Sequence, residues 1–128
     1  MGLDMNLAGR KKNTSEWENV IYWRKVNCVH KFLVPEEDLW VNDNCVEFPV
    51  SWDDLMSLKN RCVNILTVAN QANGNWKKVA KDLLPTEDGF FWGSTEYDEW
   101  YLDDLKYTVE KIESIPEEYE EFLYEAWY

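Results

Sequence analysis

The stretch TSEWENVIYWRKVNCVHKFLVP, residues 14–35, carries the longest helical signal in the chain, and its reading sets the fold. Ser15 and Glu18 stand at capping-box spacing and Pro35 closes the run, which predicts a helix over about Glu16 to Leu33. Projected at about 100° per residue, Trp17, Ile21, Tyr22, Val26, Cys28, Val29, Phe32 and Leu33 share a core face. Lys25 intrudes into that face, while Val20, Trp23, Arg24, Asn27, His30 and Lys31 fall opposite. A Trp, a His, an Asn and several cations at helical spacing are groups that stack on a base and contact a phosphate.

Outward from that helix the signals are shorter. Leu3, Met5 and Leu7 alternate with Asp4 and Asn6 as a half-buried strand does, and residues 35–49 read as a loop with one short strand near Cys45 to Phe48. Ser51 and Asp54 form a second capping box, followed by Leu55, Leu58, Cys62, Ile65 and Leu66 at helical period. NQANGN, residues 70–75, ends that helix, and WKKVAKDLL, residues 76–84, reads as a short one before Pro85. GFFWG, residues 89–93, reads as an aromatic strand or turn. Ser94 or Thr95 then caps a third long helix to about Glu113, with Glu96, Asp98 and Glu99 in its first turn, where the macrodipole favours acids. On it Tyr97, Trp100, Tyr101, Leu105, Thr108, Val109 and Ile112 share a face into which Asp104 intrudes, a candidate partner for Lys25. Pro116 opens PEEYEEFLYEAWY as a short acidic helix. The expected fold is therefore α+β, a mainly helical single domain over 1–128. It has three principal helices, a short C-terminal helix and a small β element from residues 2–8, 45–50 and 89–93.

Composition narrows the function classes. The chain has 128 residues, 45% hydrophobic, with eight Trp, enough for one well-packed core and for a homo-oligomer interface. No apolar run reaches the length of a membrane span and no signal-peptide pattern begins the chain, so a cytoplasmic protein without membrane contact is expected. Three cysteines and one histidine argue against a disulfide framework and against a zinc site. No nucleophile elbow, phosphate-binding glycine loop or zinc-helix motif occurs, so neither an enzyme nor a cofactor is expected. The net charge of −12 is concentrated after residue 85, where fourteen Asp/Glu face two Lys/Arg. That balance opposes direct nucleic-acid binding and permits partners that themselves bind polyanions, and it also serves solubility alone.

Three segments, GLDMNL at residues 2–7, YWRKVNCVHKF at 22–32 and LLPTEDGFFWGSTEYDEWYLDDL at 83–105, occur together. In combination they resemble a family of small uncharacterised bacteriophage and prophage proteins marked by GLDM, YWRKxNxxH and GFFxGSTEYDE-like segments. His30-Lys31-Phe32 departs from the His-x-Trp common in that family. The resemblance implies a phage origin and action in the cytoplasm of an infected bacterium.

Small phage accessory proteins often counter bacterial defence, and two expectations follow. In the first, Tyr22, Trp23, Arg24, Lys25, Asn27 and His30, with Phe91, Trp92, Ser94, Thr95 and Tyr97, form a pocket that sequesters a small anionic ligand such as a nucleotide immune signal, with backbone N–H groups of the Ser94-Thr95 helix start on a phosphate. On that reading Trp23→Ala and Arg24→Ala spare folding and weaken binding. In the second, Glu117, Glu118, Tyr119, Glu121, Phe122, Tyr124 and Trp127 form an acidic, aromatic surface that occupies a nucleic-acid-handling defence protein in place of its substrate.

Overall fold

The computed structural model describes residues 2–72, 74–89 and 92–128. In chain order it has β1 (Asp4–Lys11), β2 (Trp17–Arg24), α1 (Asn27–Leu33), a short 3-10 turn (Glu36–Asp38), β3 (Glu47–Val50), α2 (Trp52–Ala69), α3 (Trp76–Leu83), α4 (Glu99–Glu113) and β4 (Tyr119–Trp127). The strands form one sheet in the order β2-β1-β4-β3, with every neighbouring pair antiparallel. The fold is α+β, but its centre is a sheet, and it is less helical than the periodicity predicts.

The predicted helix over 16–33 is two elements. Trp17–Arg24 is a strand hairpinned onto β1, and only Asn27–Leu33 is helical. A bulge explains the false period: Leu7 pairs with Ile21 but Ala8 pairs with Asn19, so Val20 is an extra residue that resets the alternation. The strand also inverts the expected faces, turning Trp23 into the core at 1% exposure and leaving Tyr22 outside. The Ser15–Glu18 capping box is absent; the Glu18 carboxylate instead accepts a hydrogen bond from the Tyr119 hydroxyl.

The predicted C-terminal helix is β4, one of the two central strands. Here too a bulge imitates a helix. Gly9 pairs with Phe122 and Arg10 with Glu121, but Lys11 pairs with Tyr119, so Glu120 is extra and Tyr119 and Phe122, three apart, both face the core. Beyond the bulge, strict alternation buries Phe122, Tyr124 and Ala126.

The rest follows the sequence more closely. The Ser51 capping box at α2 is present, with Asp54 N–H donating to Ser51 Oγ (3.0 Å) and Ser51 N–H to Asp54 Oδ2 (2.9 Å). Strands lie within or beside the predicted 2–8 and 45–50, whereas Gly89, Trp92 and Gly93 are in none, and Phe90 and Phe91 are outside the described residues. The helix predicted from Ser94 or Thr95 begins later, at Glu99, capped by Asp98 Oδ1 on the Tyr101 N–H (3.1 Å). Trp100, expected on its buried face, is 77% exposed.

One core joins the inner face of the sheet (Met5, Leu7, Ile21, Trp23, Phe48, Phe122, Tyr124) to Leu55, Leu58, Cys62 and Ile65 of α2 and Leu102, Leu105 and Ile112 of α4. Two indoles fasten the layers. Trp23 Nε1 donates to Thr108 Oγ1 of α4 (3.0 Å), and Trp52 Nε1 to the Tyr119 carbonyl (2.9 Å). No helix is long and apolar enough to cross a membrane, among the described residues.

Candidate functional site

The segments around Tyr22–His30 and Gly89–Tyr101 meet, and most of their residues are used in holding one another. At the end of β2, Lys25 takes the left-handed conformation (φ 57°) and donates its N–H to the Leu3 carbonyl (2.7 Å), turning the chain into α1. Gly93, also left-handed (φ 94°), lies against it. A Cβ at Gly93 would stand 2.9 Å from Lys25 Cβ and 3.0 Å from its carbonyl oxygen. Gly93→Ala is therefore expected to cost about 1–2 kcal/mol in unfolding free energy, read by urea denaturation.

Asn27 is a latch. Its side-chain amide donates to the carbonyls of Trp92 (3.2 Å) and Ser94 (3.0 Å) and accepts from the Glu87 N–H (3.0 Å), tying these three residues to α1. Such bonds satisfy backbone groups that no strand or helix serves. Tyr97 and Tyr101 do the same further on: the Tyr97 hydroxyl accepts from the Thr86 N–H (3.0 Å), and the Tyr101 hydroxyl donates to the Leu84 carbonyl (2.8 Å).

His30 is fully buried in a polar chain. Its Nε2 lies 3.0 Å from Asp43 Oδ2, and its Nδ1 lies 2.6 Å from the Tyr124 hydroxyl. Burial lowers the His30 pKa despite Asp43, so the ring is neutral, with the proton on Nε2 and Nδ1 accepting from Tyr124. Asp43 also accepts from the Trp40 N–H (3.1 Å) and the Tyr128 hydroxyl, and these donors hold its pKa below the ordinary value against the pull of burial. Trp92 closes the cluster, stacked on Trp40 at 4.3 Å and edge-on to His30 at 4.7 Å. Its Nε1 has no hydrogen-bond partner among the described residues.

Trp23, Asn27, His30 and Trp92, all predicted to touch a ligand, are thus buried parts of the fold, and Phe91 lies outside the described residues. Cys28 and His30 form no reactive pair: both ring nitrogens are engaged, and burial pushes the Cys28 thiol far up. Tyr22 is exposed, its hydroxyl donating to Asp4.

Whereas Tyr22 lines a separate groove, some of the other side chains those segments leave exposed meet in a cleft of about 260 Å³ beside Gly93. Arg24 and Lys25 line it from the end of β2. Ser94, Glu96 and Asp98 line it from the loop, and Trp100 and Asp104 from α4. Thr95 is exposed but outside that lining. Ser94 Oγ accepts from the Glu96 N–H (3.0 Å), so this turn is organised by a side chain and not by a helix start. Arg24 reaches Asp4 at 3.5 Å, and no Lys25–Asp104 ion pair forms among the described residues. Burial, then Asp103 and Asp98, raises the Asp104 pKa to about 6. The cleft accordingly offers cations on one wall, carboxyl acceptors on the other, and an exposed indole at α4.

The second predicted set divides differently. Tyr119, Phe122 and Tyr124 are core residues, while Glu117, Glu118, Glu121 and Trp127 are exposed. Glu118 and Glu121 pair with Lys11 (3.6 Å) and Arg10 (3.1 Å). Asp43, Trp100 and Thr86 were missed by sequence reasoning; Asp43 sits in an irregular loop where no periodicity could mark it.

Among the described residues no group of three or more His, Cys, Asp or Glu is placed to hold a metal ion. No protein-family model, curated protein or solved structure gives a match to the chain.

Proposed function

We propose that this chain is a non-enzymatic bacteriophage protein that counters a bacterial antiviral defence by sequestering a small anionic ligand, with a nucleotide the favoured class. One observation carries the reading: Arg24 and Lys25 from one marked segment and Ser94, Glu96 and Asp98 from the other line the same cleft. Arg24 and Lys25 would take the phosphate, since a fork and a point cation are the two common phosphate contacts. Trp100 offers a ring for a base to stack on, and Glu96 or Asp104 accepts from a base N–H. The three carboxylates would repel a bare anion, which favours a ligand that carries donors at one end and charge at the other.

The test is a thermal-shift screen of the purified protein against nucleotides, because a ligand that binds only the folded state raises the melting temperature. Arg24→Ala and Lys25→Ala are each expected to weaken the hit by about tenfold while leaving the unliganded protein folded. Affinity should also rise as pH falls from 8 through about 6, because Asp104 then becomes neutral and stops opposing the phosphate. A panel without any shift, or variants that keep wild-type affinity, would discard the proposal.

A further inference from the structure

The helices cover one face of the sheet and leave the other open. On the open face Trp17 (41% exposed), Tyr22 (47%) and Trp127 (40%) stand among polar residues. Cross-strand register aligns them in rows: Trp127 beside Asp4 and Arg24, and Glu47 beside Glu125, Asn6 and Tyr22. A shallow groove of about 700 Å³ runs here, lined by Asn6, Tyr22, Glu125 and Trp127 and bounded at α4 by Tyr107 and Lys111.

The charges on this face are unevenly satisfied. Asp4 has Arg24 and Glu121 has Arg10, but Glu47 and Glu125 have no ion-pair partner within 4 Å among the described residues. They stand directly opposite each other on β3 and β4, and like charges in that relation are destabilising. Nothing in the fold requires acids there, since both side chains point away from the core. A cation brought from outside would turn this repulsion into two attractions.

We infer that the open face of the sheet docks a basic polypeptide segment of a partner protein, an arginine or lysine side chain standing between Glu47 and Glu125 with Trp127 beside it. The charge selects this occupant over the others. A second copy would set these acids against an equally acidic chain of net charge −12, and a nucleic acid or an anionic membrane would be repelled. Aromatic side chains beside acids also suit a guanidinium, which stacks on rings while it pairs with carboxylates. The surface is separate from the Gly93 cleft except for Arg24, and the inference does not depend on a ligand there.

A labelled peptide alternating arginine and serine, titrated into the full chain and followed by fluorescence anisotropy, tests it. The wild type should bind, more weakly as salt rises. Glu47→Gln with Glu125→Gln should lose about tenfold in affinity and yet melt higher than the wild type, because the cross-strand repulsion is gone. Asp82→Asn with Glu110→Gln, which removes the same charge from exposed positions on α3 and α4, should leave affinity within about twofold. Absence of wild-type binding, equal weakening by both double variants, or a lowered melting temperature for the Glu47/Glu125 variant would each overturn the inference. So would sedimentation showing that this face is already closed in a dimer.

Discussion

Trp23→Ala should unfold much of the protein's margin of stability, costing about 3–5 kcal/mol and lowering the melting temperature by roughly 10 °C or more. The side chain is 1% exposed, packs edge-on to Tyr124 at 6.4 Å, and donates to Thr108 on α4. Removing it empties a space between the sheet and α4 and leaves the Thr108 hydroxyl without its donor. This outcome reverses the expectation from helical periodicity, which places Trp23 on a polar face where truncation spares folding. Urea denaturation distinguishes the two: a midpoint within error of the wild type would mean that Trp23 is not a core residue. Any loss of ligand affinity in this variant then reports folding, so Arg24 and Lys25 are the better probes of the cleft.

Asp43→Ala is expected to cost about 3 kcal/mol or more, because one buried carboxylate serves His30 Nε2, the Trp40 N–H and the Tyr128 hydroxyl, and its loss strands all three. The same cluster gives the protein an acid sensitivity of definite sign. The folded His30 pKa lies below 6.5, so as pH falls below about 6.5 the unfolded chain takes up a proton that the folded one refuses, and stability drops. Asp43, depressed below 3.8, adds its loss only in stronger acid. Asp104 acts oppositely: with a folded pKa of about 6 it is protonated first in the folded state, and stabilises as pH falls from there toward 3.8. Asp104→Asn should therefore steepen the decline in melting temperature between about pH 7 and 5.5, and a flat profile in that variant would refute the buried-neutral assignment of His30.

Much of the helical part was legible in the sequence and much of the sheet was not. Leu55, Leu58, Cys62 and Ile65 repeat at a helical period, and the capping box at Ser51 is local, so α2 could be read directly. β2 and β4 could not be read in this way, because Val20 and Glu120 are bulge residues that shift an alternating pattern into helix-like spacings. A bulge is defined by the partner strand, and β4 finds its partners only in β1 and β3, far away in the chain. The cleft was legible in half. Both segments were identified and do meet, but which side chains remain for a ligand depends on tertiary contacts: Asn27 and His30 look like ligand groups until their backbone and Asp43 partners are seen.

The pairing of β1 with β4 also governs when this chain can fold. Asp4 meets Trp127 across the central strand pair, so β1 must wait for β4. During synthesis β1 and β2 can form only a hairpin, which is marginal alone, and the inner aromatic residues stay uncovered until residues 119–127 leave the ribosome. Closure over so long a separation is slow, and until it happens the inner face of the sheet stays exposed to chaperones and proteases.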